Sequence, residues 1–207
     1  MQHSKPLAFA THGRTMPDMT PSPLFSTHSL QEEIITQSNK ALRMAEAVPA
    51  AKLLASTPEA LADRIMERVG FDPVSLDDDN KTVLPPTQAG HGVNITIDIP
   101  FFGDARMLRK TSSHGQTNKI RGEVTGTTLK LNVTVSSRLS TAEQLEVAEE
   151  EIAALEAHLA SQRSMVDVFR ESARVEVLEV IACRRDQAET AMQLAAALRE
   201  GLTEGRD

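Results

Sequence analysis

Polar and apolar positions alternate along this chain in two rhythms, and each rhythm predicts an element. In VNITIDI, Val93, Ile95, Ile97 and Ile99 fall on one face and Asn94, Thr96 and Asp98 on the other. A period of two of this kind makes a strand with one buried and one wet face. TLKLNVTV repeats the device with Leu129, Leu131, Val133 and Val135 inward, and KIRGEVTGTT before it reads as a shorter strand turning at Gly126.

The second rhythm occupies the C-terminal third. Leu145, Ala148, Ile152, Leu155, Leu159, Gln162, Val166, Phe169 and Ala173 follow one another in steps of three and four, a heptad seam. Ser140 and Glu143 open it with the spacing of a capping box, and neither glycine nor proline interrupts residues 141 to 200. One continuous helix over that stretch spans about 90 Å at 1.5 Å per residue. That is long for 207 residues, so a helical hairpin with its bend between Arg170 and Val175 stays open beside the single helix. The seam has to be covered, by the chain itself or by another chain.

Weaker patterns divide the rest. Residues 1–29 mix Pro, Ser, Thr and His without a period and read as a disordered arm. Residues 30–72 form a helical segment in two pieces. The first ends near Pro49, and the second starts at Ser56 or Thr57 with Pro58 in its first turn and stops at Gly70. Residues 73–92 read as a linker, 93–139 as an antiparallel β segment, and 140–201 as the long helix or hairpin. The predicted fold class is α+β: a small antiparallel sheet of three or four strands packed by helices, with a long C-terminal helix or hairpin of coiled-coil character.

Composition sharpens this picture. Aromatic residues are only 3% of the chain, with no Trp or Tyr, so the core is built from aliphatic side chains. That suits helices packed through stripes better than a large sandwich. A single cysteine, Cys183, excludes an internal disulfide and reads as a small hydrophobe. No apolar run has the length of a membrane span and none leads the chain, which predicts a cytoplasmic protein without membrane contact.

The net charge of -7 is unevenly spread. Residues 94–140 carry seven basic groups against three acidic, while 141–207 carry seven against fifteen. This basic waist complements the acidic helix, within the chain or across a dimer. Its alternative use is to hold an anionic ligand or nucleic acid through the loop 106–121, with Arg109, Lys110, His114, Lys119 and Arg121 as the contacts. Nucleic acid is the weaker of these, because the loop offers no aromatic platform for bases.

The chain contains no phosphate-binding glycine loop, no zinc-protease helix motif and no nucleophile elbow. The Asp77–Asp79 run lacks the spacing of a calcium loop, and His3, His12 and His28 are too irregular for a metal. Glu149, Glu150 and Glu151 point in different directions on a helix, and no Glu-x-x-His pair accompanies them. No catalytic, cofactor-binding or metal-binding residue is therefore assigned, and no cofactor is implied.

One stretch, IDIPFFGDARMLRK, is less generic. The period-two register turns Phe101 inward and Phe102 outward, with Pro100 and Gly103 ending the strand. Several of these positions carry a resemblance. Pro100, Phe101, Gly103 and Asp104, then Arg121 to Val124, then Gln162, Arg163 and Val166, then Arg184 and Arg185 resemble a family of uncharacterised bacterial proteins. That family has a P-F-x-G-D strand end, an R-G-E-V strand and a helix bearing Q-R-x-x-V and R-R. The resemblance covers roughly residues 93–200 and implies architecture and a bacterial origin, with no activity attached.

These readings converge on a non-enzymatic interaction or accessory protein. It is expected to self-associate, or to dock another protein, through Phe102, Leu145, Ile152, Leu155, Leu159, Val166 and Phe169.

Overall fold

The computed structural model describes residues 23–26, 28–90, 92–112 and 120–204, and the fold is α+β. Its sheet is built on two long strands, β5 (Gly92–Phe102) and β8 (Thr128–Ser136), which pair antiparallel from Gly92 opposite Ser136 to Pro100 opposite Thr128. β7 (Arg121–Thr125) lies on the far side of β8. The turn between them is Gly126–Thr127, with Gly126 at φ 60° and Thr127 outside the positive-φ region. A two-residue loop with glycine first is the turn whose twist matches that of the strands.

On the other side of β5 the partner comes in pieces: β2 (Ser75–Leu76), β3 (Thr82–Val83) and β4 (Thr87–Ala89), all antiparallel to it. The sheet therefore has six strands among the described residues, rather than three or four. The additional strands come from 73–92, the stretch whose sequence reads as a linker. Each is two or three residues long, too short to show a period, and Pro85 and Pro86 separate β3 from β4. Proline is tolerated there because a sheet edge does not need every backbone donor.

The helical segment folds as α1 (Leu30–Glu46), α2 (Ala50–Ala55) and α3 (Pro58–Met66). Thr57 caps α3 by accepting the Ala60 amide at 3.2 Å, with Pro58 where no donor is needed. α4 (Thr141–Glu204) is one helix of 64 residues, about 96 Å long at 1.5 Å per residue. It runs unbroken through Arg170–Val175, which closes the hairpin alternative. Its start is the predicted capping box: the Glu143 carboxylate accepts from the Ser140 amide at 2.7 Å, and Ser140 Oγ faces the Glu143 amide at 3.4 Å.

α4 carries two hydrophobic cores on one stripe. The first lies between the inward sheet face and the front half of the helix, with Ile99, Leu129 and Leu131 against Leu155, Val166 and Phe169. The second gathers Ala41, Leu53, Leu61 and Ile65 of α1–α3 around Val177 and Ile181. Each large aliphatic side chain buried this way contributes about 1.5–3 kcal/mol relative to its exposed state.

The N-terminal arm read as extending to residue 29 is shorter at its C-terminal side. Pro23–Ser26 and His28–Ser29 are joined to the domain, the latter as β1 (His28–Ser29), paired parallel with β6 (Lys110–Thr111). Leu24 and Phe25 are buried in the sheet core, and their amides donate to the Ile120 and Leu108 carbonyls, each at 2.9 Å. Two apolar residues among prolines and serines carry no periodic signal, and only the tertiary contact shows what they do. Residues 1–22 lie outside the described part of the chain.

Candidate functional site

The residues expected to meet a partner separate into two groups. Leu155, Leu159, Val166 and Phe169 are buried, and Ile152 is half-buried against the same core. What covers them is the chain's own sheet, so this part of the seam is already occupied, a correction to its reading as a partner surface. The burial pattern agrees: the buried positions 155, 158, 159, 162, 166, 169, 173, 177 and 181 all fall on one side of α4, as they do on a helix packed against a globular body.

Leu145 is 58% exposed at the start of α4, and Phe102 is 69% exposed at the end of β5. Phe102 stands opposite Ser75, on the face away from the core, while its neighbour Phe101 is buried.

Beyond Ile181 the helix leaves the body of the protein. Arg184 reaches back to the Ala45 and Val48 carbonyls at the end of α1, and Arg185 to the Ser56 carbonyl after α2. From Thr190 to Glu200 every residue is exposed. The stripe nevertheless continues: at 100° per residue Ala191, Leu194, Ala195 and Leu198 lie on the side of α4 that carries Leu155 to Val177. Leu194 and Leu198 are about 60% exposed, and Met192 flanks them at 58%. The heptad positions named from the sequence end at Ala173 within a helical seam expected over 141–200, and the alanine-leucine spacing of 191–198 is the signal that carries the stripe to its end.

The proposed anion contacts do not assemble into one cluster. Lys110 is turned to Glu33, with Nζ 3.0 Å from Oε2 and only 15% of its side chain exposed. The same ammonium holds the Glu33 carboxyl below its ordinary range. Arg109 and Arg121 are exposed and each has an interaction of its own, and His114 and Lys119 lie outside the described residues. Near Lys110, Arg106 clamps Asp104 through Nε and Nη2, which lowers the Asp104 carboxyl in the same way. These charges neutralise one another in pairs around a crevice of about 40 Å³ that also meets Gln37, Phe71 and Met107. That volume accommodates about one water molecule.

A second constellation is buried. His158 and Gln162, one turn apart on α4, face the backbone of 107–112. The Gln162 amide donates to the Met107 carbonyl at 3.0 Å and to the Lys110 carbonyl, which commits both of its hydrogens. His158 Nε2, 3.4 Å from the Lys110 carbonyl, is then the protonated nitrogen, and Nδ1 accepts from Ser112 Oγ at 3.2 Å. Desolvation pushes the imidazole below its ordinary pKa. A serine beside a histidine invites a catalytic reading, but among the described residues no carboxylate is hydrogen-bonded to the ring, and both residues are buried. The sequence pattern puts Gln162 on the seam and gives His158 no role. Two polar residues at i and i+4 on an apolar stripe were the available signal.

Among the described residues, no group of three or more His, Cys, Asp or Glu is placed to hold a metal ion, and no helix is long and apolar enough to cross a membrane. No family model, curated protein or solved structure matches the chain.

Proposed function

We propose that this is a non-enzymatic interaction or accessory protein whose contact surface is the free end of α4, where it pairs with a second copy or docks another protein. The observation that supports this reading is the continuation of the buried stripe into Ala191, Leu194, Ala195 and Leu198 with nothing of the described chain over it. A short helix alone in water is marginal, and this end is held as a helix by its continuity with the packed part. It presents its apolar side at no further ordering expense, as helix-in-groove and helix-pair recognition both require.

Light scattering after size exclusion tests the reading. The full chain should elute as an oligomer, or be drawn into a complex from extract of the host. Leu194→Asp with Leu198→Asp should abolish either behaviour while leaving the far-UV circular dichroism and the melting point unchanged, because neither side chain supports the fold. A monomer that captures the same proteins with and without the two aspartates rejects the proposal.

A further inference from the structure

The sheet core contains a strained residue resting on a buried titratable one. Phe25 has φ 56°, the only non-glycine residue at positive φ among those described. A bulky side chain there crowds the following carbonyl and persists only where packing holds it. What holds it is the His158 ring, with centroids 3.8 Å apart and planes at 41°, together with complete burial. The same imidazole ties down the Lys110 carbonyl and Ser112, and the Phe25 amide is bonded to the Leu108 carbonyl of the same segment.

We infer that His158 is an acid-sensitive fastener that holds the strap Pro23–Ser26 against α4 while its imidazole is neutral and lets it go when the imidazole takes a proton. The groups around the ring, among the described residues, supply no counter-charge. From 107–112 come the Lys110 carbonyl and Ser112, while the Lys110 ammonium is engaged with Glu33 of α1. From the strap comes Phe25, and from α4 itself the uncharged Gln162. Two effects oppose each other. An imidazolium near a phenyl ring gains a modest cation–π attraction. Moving a charge from water into a site where the residue is only 6% exposed, with no opposite charge, costs more than that attraction returns. Desolvation wins, in the direction already given for the imidazole.

The sign follows. The folded form binds the proton less well than the unfolded form, so the fastening is complete above the ordinary imidazole pKa of about 6.5 and weakens as pH falls below it. The strap gives way first, because it contributes a strained backbone and only two large buried side chains, whereas the sheet and α1–α3 have cores of their own.

Nuclear magnetic resonance of the full chain reads both halves of the inference between pH 7.5 and 5.0. Protection of the Leu24 and Phe25 amides against exchange, corrected for intrinsic rates, should fall at least tenfold along the same curve as the His158 ring titration. Amides of β5 and β8 should keep theirs. In His158→Gln, which preserves a donor without a titrating group, strap protection should become independent of pH. That control also separates His158 from the other five histidines. The inference is overturned if His158 titrates without any change at Leu24 and Phe25, or if the glutamine variant loses protection on acidification as the parent does. Should the variant open the strap even at pH 7.5, the two wild-type curves decide, since they either coincide or do not.

Discussion

A strand's side chains alternate, and at the end of β5 this buries Phe101 and exposes Phe102. The glycine after them ends the strand. Its actual constraint is tertiary: at φ 100°, a Cβ on Gly103 would lie 2.4 Å from the Pro73 carbonyl oxygen, so the backbone of the 72–73 segment occupies its place. Gly126 has φ 60° with nothing within 4 Å. The two positions therefore separate conformational strain from collision. Gly126→Ala should lower stability by about 1 kcal/mol, the left-handed penalty alone. Gly103→Ala should lower it by more than about 3 kcal/mol, because main chain must move as well. Urea denaturation followed by far-UV circular dichroism measures both, the chain having no tryptophan or tyrosine to report by fluorescence. Equal losses at the two sites would show that the Pro73 contact is not rigid.

Among the elements, those with a sustained period were readable and those held by one or two hydrogen bonds were not. β5, β7, β8 and the start of α4 stand where alternation and the capping box put them, while β2, β3 and β4 are short because each merely continues the pairing of β5. Arginines act similarly out of sight of any pattern. Arg163 and Arg170 donate to the Val74 and Phe71 carbonyls, and Arg184 and Arg185 to carbonyls at the ends of α1 and α2. Several of the motif positions, Gln162, Arg163, Arg184 and Arg185 among them, thus fasten α4 to backbone rather than form a ligand site. The energetic weight differs by setting. Arg184 satisfies two carbonyls at a helix C-terminus in a partly buried joint, where a cation also complements the helix dipole. Arg184→Met should cost about 1–3 kcal/mol. Arg174 pairs with Asp63 at 3.0 Å with about half of each side chain in water, so Arg174→Met should cost under about 1 kcal/mol. Thermal and urea melts of the two variants give the comparison, and a larger loss at Arg174 would contradict this assignment of the joints.

At the scale of the molecule, the α+β class and the long C-terminal element were readable from the sequence, but the use of that element was not. A stripe of threes and fours says that something covers it and leaves open what does. The cover is a sheet along the front of α4 and three helices farther on, and only the last turns extend past both. One helix forming a wall of two cores has a thermodynamic consequence. If α4 stays helical between them, loss of either core exposes the other's wall, so the two should unfold together, and Leu30, Ile34 and Met66 of the helical segment, which also pack on the sheet core, add to that coupling. Leu53→Ala, in the helical core and remote from the sheet, leaves a cavity worth about 2–5 kcal/mol. It should shift the disappearance of the Ile99 methyl signals in urea by the same increment as those of Ile181, Ile99 reporting the sheet core and Ile181 the helical one. Were Ile181 to melt early while Ile99 kept its midpoint, α4 would be breaking between the cores, and its free end would then be anchored only by the weaker of the two.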